Sequence, residues 1–155
     1  MHRSNGKNSS IDIHTHGDRV HAGDGYASPA GSTAITGDRY PRDVQTVFHL
    51  IADEPAQRAT ALTIARNLTE DDAVDMDDVA IVAQADGIEP LTAGGDGSET
   101  VESLLETGVA VKACRNTLDL KDLAESDLVE GVETVSSGGG ELTRLQDEGY
   151  AYIRP

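Results

Sequence analysis

Cys114 is the only cysteine in 155 residues. No intrachain disulfide can form, which fits a reducing compartment. No apolar run approaches the roughly 18 residues that a membrane span needs. The N-terminal stretch Met1-His2-Arg3-Ser4-Asn5-Gly6-Lys7 lacks the apolar core of a secretory signal. The expected location is therefore the cytoplasm. Tryptophan is missing, aromatics make up 3% of the chain, and lysine occurs only as Lys7, Lys112 and Lys121. Positive charge is scarce: 12 Lys and Arg stand against 28 Asp and Glu, a net charge of −16. So acidic a chain repels nucleic acid phosphates and anionic lipid, which argues against both as partners. The length supports one domain.

The charge is unevenly placed. Residues 1–43 hold five basic and five acidic groups, whereas residues 44–155 hold seven and 23 and carry the whole excess. A lysine-poor, carboxylate-rich surface looks like that of proteins from salt-loving archaea, where screening removes the self-repulsion. The acidic faces are thus read as solvent adaptation rather than as a binding site. Residues 1–43 have hardly any large apolar side chains and are expected to form a disordered tail, because burial there cannot offset the entropy of ordering. His14, His16 and His21 lie in it beside Asp12 and Asp18. Nothing preforms a metal geometry around them, so no metal site is predicted.

Regular periodicity starts at Val44. Val44–Ile51 reads as a strand, and Asp53-Glu54-Pro55 opens a helix with Pro55 in its first turn and Ala61, Ile64, Ala65 and Leu68 on its buried face. Val79–Ala83 is a second strand. Asp96 or Ser98 is placed to cap a second helix with Val101, Leu104 and Leu105 inward, and Gly108 suits its C′ position. A third strand ends at Cys114, and a short helix through about Ala124 follows. Glu133–Ser136 is a fourth strand, the glycine run from Ser137 to Gly140 leads into a helix carrying Leu142 and Leu145, and Tyr150–Ile153 is a fifth strand. This alternation requires a three-layer α/β/α domain over 44–155 with a mainly parallel five-stranded sheet and helices on both faces. The patterns G-x-x-x-x-G-K-[ST] and G-x-G-x-x-G after the first strand are both missing, so no nucleotide or other cofactor is predicted. Bare amides between Ser137 and Gly140 remain suited to an anion.

The segment Val109-Ala110-Val111-Lys112-Ala113-Cys114-Arg115-Asn116-Thr117-Leu118 concentrates the chemistry. It places a thiol where a strand gives way to a helix start, the edge at which ligands collect in parallel α/β sheets. Helix amides and nearby cations favour a thiolate. Lys112 and Arg115 are the candidate cations, and Asn116 and Thr117 the candidate caps. The competing reading is a small buried apolar residue at a strand end. His49, in the first strand, is a candidate base or simply a packed side chain.

From Val47 to Pro155 the chain resembles the DsrE/DsrF-like family of small sulfur-relay proteins. The resemblance rests on A-L-T-I-A-R-N-L from Ala61, D-G-I from Asp86, A-C-R-N-T-L from Ala113, G-V-E from Gly131, S-G from Ser137 and L-Q-D-E-G-Y-A-Y-I-R-P at the end. Gln84-Ala85 stands where relatives often have a small polar residue followed by glycine. The resemblance implies a five-stranded α/β/α domain assembled as a homotrimer or homohexamer. It also implies a cysteine, here Cys114, that carries a persulfide between donor and acceptor proteins. Gly87 and Gly138, in the matching pieces, join Asn116 and Thr117 as candidate binding residues. Two alternatives stand beside the carrier: an oligomeric module that binds a small metabolite or partner with Cys114 merely packed, and a hydrolase or transferase using Cys114 with His49.

Overall fold

A computed structural model describes residues 44–155; the tail read over 1–43, with His14, His16 and His21, lies outside the described residues. Five strands, β1 (Val44–Leu50), β2 (Met76–Ala83), β3 (Ala110–Cys114), β4 (Glu133–Val135) and β5 (Ala151–Ile153), alternate with four α-helices. These are α1 (Pro55–Thr69), α2 (Ser98–Glu106), α3 (Arg115–Leu120) and α4 (Gly138–Asp147), with 3₁₀ turns at Ala85–Leu91 and Glu125–Asp127. All four strand pairings are parallel, in the order β4-β3-β2-β1-β5. The expected parallel α/β sheet is thus present.

The strand order divides the helices. The first three crossovers step the same way along the sheet, so α1, α2 and α3 share one face. Their Ala61, Leu62, Ala65, Val101, Leu104 and Leu118 pack on Phe48, Leu50, Ile81 and Val111 in the main core. The fourth crossover returns past β1 to reach β5, which puts α4 alone on the other face. There Leu142 and Leu145 cover Val47, Ala80 and Val82. Thr46 and His49 aside, the buried ends of β1 and β2 are apolar on both faces because both are covered. No helix among the described residues is long and apolar enough to cross a membrane.

Three helices end in the same way. In α2, α3 and α4 the residue two beyond the helix adopts a left-handed backbone: Gly108 (φ 92°), Asp122 (φ 53°) and Gly149 (φ 101°). The following amides, Val109, Leu123 and Tyr150, donate back to the carbonyls of Leu104, Leu118 and Leu145 at 3.0 Å each. This paired closure satisfies carbonyls that would otherwise have no partner. It also stops α3 at Leu120, short of the expected Ala124, and leaves Leu120 85% exposed while Leu118 is buried.

Other expectations shift for local reasons. The buried stripe of α1 is Arg58, Ala61, Leu62 and Ala65; Ile64 lies at its edge and is 38% exposed. Arg58 belongs inside because its guanidinium donates to the carbonyls of Ala52 (3.3 Å) and Asp53 (2.5 Å) and so ties down the β1–α1 loop. The α2 cap is neither Asp96 nor Ser98 but Gly97, left-handed at φ 97° and without a side-chain cap. Strand β2 starts at Met76, earlier than expected, since its pairing with β1 runs back through Asp78 to Met76, with Asp77 skipped at an irregularity in the register.

Gly87 is buried against the end of β1. A β-carbon there would run into the carbonyl group of Leu50 and come within 2.7 Å of the Ile51 nitrogen. Because the obstacle is backbone, it cannot swing aside. Gly87→Ala is expected to cost about 3 kcal/mol or more by overpacking, read as a lowered urea midpoint.

Candidate functional site

Strands β3 and β4 are neighbours, yet their outgoing chains part to opposite faces: β3 feeds α3 and β4 feeds α4. This is the topological switch point of the sheet, where a crevice opens at the carboxyl ends of the strands. Cys114 is the last residue of β3 and Gly138 the first of α4. Both line a cavity of about 390 Å³ together with Gln84, Asn116, Thr117 and the exposed Leu120. The rim carries a Lys121–Asp86 ion pair at 2.8 Å.

Cys114 itself, rather than Asn116 or Thr117, is the N-cap of α3, with an extended backbone (φ −72°, ψ 118°). The amides of Asn116 and Thr117 therefore open toward its sulfur from the second and third helical positions. Burial pushes the Cys114 thiol up. The Gly138 amide, the Thr117 hydroxyl and the Thr117 and Asn116 amides together outweigh that and hold it below the ordinary value. None makes a close cap hydrogen bond to the sulfur; they act as partial positive charges converging on it. The Thr117 hydroxyl is held for this task. Its oxygen accepts from the Ala85 amide at 3.0 Å, which leaves its proton free to face the sulfur.

The two flanking cations serve elsewhere. Lys112 shares the α4 face of β3 with Cys114, but its ammonium is engaged by Glu133 (2.9 Å) and Glu141 (3.2 Å). Burial pulls the Lys112 pKa down and these carboxylates more than reverse it, so the ammonium stays charged and committed. Arg115 pairs with Glu125. Neither contributes to the acidity of the thiol. Of the two glycines, Gly138 lies in the cavity wall, whereas Gly87 packs under it against β1.

His49 does not pair with Cys114. Its Nδ1 lies 2.7 Å from the Tyr152 hydroxyl and its Nε2 lies 2.9 Å from the Gln84 amide nitrogen. Burial, helped by Arg154, lowers its pKa and keeps it neutral. With both nitrogens occupied, the histidine offers no base to the thiol. Among the described residues no His, Cys, Asp and Glu group could hold a metal. Sequence reasoning missed Gln84, since a glutamine after a strand carries no signal of its own. It also missed Ser137 as the α4 N-cap, where its hydroxyl oxygen accepts from the Gly140 amide at 3.1 Å.

Two measurements check this geometry. Ala85 takes a left-handed backbone, φ 50°, in which alanine is strained. Glycine relieves roughly 1–2 kcal/mol there but loses about 0.4–1 kcal/mol to unfolded-state entropy. Ala85→Gly should therefore raise the unfolding free energy by about 0.5–1 kcal/mol. The folded thiol should also alkylate with a midpoint below the ordinary value of about 8.5. A folded pKa depressed below the unfolded one adds stability as pH climbs through the folded midpoint, complete above about 8.5. The stability of the protein over Cys114→Ser should grow across that window.

The sequence pattern of the DsrE/DsrF-like family matches residues 45–155. No curated protein matches the chain. Among solved structures, the protein of unknown function MTH1491 from Methanobacterium thermoautotrophicum is 36% identical with a TM-score of 0.67, and the match spans 73% of this chain and 100% of that one. The ychN protein from E. coli, 18% identical, covers 74% of this chain and 99% of its own, with a TM-score of 0.61. BT1422 from Bacteroides thetaiotaomicron, of unknown function and 14% identical, covers 72% and 94% with a TM-score of 0.58. The last two likenesses speak to the fold alone. By its sequence pattern over residues 45–155, and with a parallel five-stranded fold that matches a relative 36% identical, the chain belongs to the DsrE/DsrF-like family.

Proposed function

We propose that this protein is a cytoplasmic sulfur carrier that holds a persulfide on Cys114 and passes it to a partner protein. One observation carries the reading: the sulfur sits in a cavity at the switch point, with amides from two helix starts, α3 and α4, turned toward it. Loading is a displacement. The Cys114 thiolate attacks the outer sulfur of a donor persulfide, a new S–S bond forms, the donor's S–S bond breaks, and the donor leaves as a thiolate. Delivery repeats the step with an acceptor thiolate, and Cys114 is then the leaving group. A depressed pKa gives more thiolate for the first step and a better leaving group for the second.

A second reading has its own support. The Cys114 residue is only 4% exposed, and apolar Ile51, Ala85 and Leu120 share its cavity. These walls suit a non-catalytic module that binds a small metabolite or partner with Cys114 as packing. Assembly as a homotrimer or homohexamer goes with either reading. The half-exposed Tyr152 and Ile153 on the β5 edge are surface that association would cover. Light scattering of the full chain should give a mass well above the 16.3 kDa of one chain.

The deciding measurement is the intact mass after incubation with a persulfide donor, beside Cys114→Ser. The carrier gains sulfur mass that a reductant removes, and the serine variant gains none. A native thiol that takes up no sulfur and is alkylated only after unfolding favours the binding module.

A further inference from the structure

A line of contacts crosses the carboxyl edge of the sheet on the α4 face. It starts on β5 at Tyr152, passes to His49 at the end of β1, and then to Gln84 just beyond β2. His49 and Gln84 lie on the same face as Val47, Ala80 and Val82, which α4 covers. The line ends on Gly138. A β-carbon added there would run into the Gln84 side-chain oxygen and lie 3.1 Å from Cδ and 3.3 Å from Cβ, so the Gln84 carboxamide rests directly on the start of α4.

The anchoring of Gln84 is more than its burial requires. Its backbone amide donates to Leu50 (3.0 Å) and its carbonyl accepts from Gly87 (3.0 Å), so the residue is fixed at both ends of its peptide. Its side-chain amide is then held by a histidine that is itself held by a tyrosine, the two rings tilted at 53° with centres 5.7 Å apart. A glutamine free on a surface would lose little by turning away. Here three strands specify its direction.

We propose that Gln84, aimed by His49 and Tyr152, is the positioning residue of the Cys114 site: it braces Gly138 so that the first amide of α4 faces the sulfur. Gln84 touches no reacting atom in this role. It acts through Gly138, and the acidity of a thiol on β3 is thereby set from the opposite edge of the sheet. The inference rests on Cys114 as the working group of the site, but it concerns the thiol and not its cargo.

The test is the titration of the single thiol by its ultraviolet thiolate absorbance, with Cys114→Ser subtracted, which works whether or not reagents reach the sulfur. Gln84→Ala and His49→Leu should each raise the midpoint, by about half a unit to one unit for Gln84→Ala, a fall in thiolate near neutral pH of up to about tenfold. Circular dichroism confirms that each variant is folded. A double-mutant cycle guards against a merely structural effect. Gly138→Ala should raise the midpoint when Gln84 is present, because the new methyl displaces the carboxamide, and should add little in Gln84→Ala. An unshifted midpoint in folded Gln84→Ala or His49→Leu, or strictly additive shifts in the cycle, overturns the proposal. A wild-type midpoint at or above the ordinary thiol value overturns it together with the carrier. A low wild-type midpoint without sulfur uptake removes the carrier alone.

Discussion

The reversal of the fourth crossover is the constraint on which the site depends. Right-handed connections keep α1, α2 and α3 on one face as long as each new strand is added on the same side. Strand β5 is instead added beyond β1, and α4 must then cross the other face. The chains leaving β3 and β4 diverge, and two helix starts meet over the gap. Had β5 been added beyond β4, Cys114 would end a strand with α3 amides alone.

The electrostatics of the thiol follow from that meeting. Burial by itself raises a thiol pKa, and a lone cysteine at a strand end would be inert. Dipoles converging from Asn116, Thr117 and Gly138 reverse the sign. Fixed backbone dipoles suit a chain with so few cations, because an acidic protein captures its cations with carboxylates. Lys112 is held by Glu133 and Glu141, and Arg115 by Glu125. Lys112 thereby ties β3 to β4 and α4 and holds the walls of the crevice together. An amide cannot be drawn off in this way.

Backbone geometry supplies the remaining fit. Gly87 lets the loop after β2 lie against the end of β1, and Ala85 accepts a left-handed backbone just before it. That same turn brings the Ala85 amide to Thr117 and so aims the hydroxyl. The chain accepts the strain at Ala85, and the neighbouring Gln84 gains a place on Gly138.

Much of this was legible in order along the chain. Strand and helix periodicity, Gly108 as a helix end, and Cys114 at a strand-to-helix junction are local properties, set by side-chain size and backbone preference over a few residues. The parallel sheet followed from alternation alone. The sequence could not say which neighbours a charged or polar side chain finds, because those contacts join residues far apart in the chain. Lys112 and Arg115 beside the cysteine suggested cations at the sulfur, yet the nearby carboxylates drew both elsewhere. Gln84 and His49 are separated by 35 residues, and His49 and Tyr152 by 103. Only the strand order, with β5 beside β1, brings them into one line. The sequence by itself determined that a thiol stands at the edge of a parallel sheet; the tertiary structure decided that amides rather than cations surround it, because adjacency across strands is a property of topology and not of spacing.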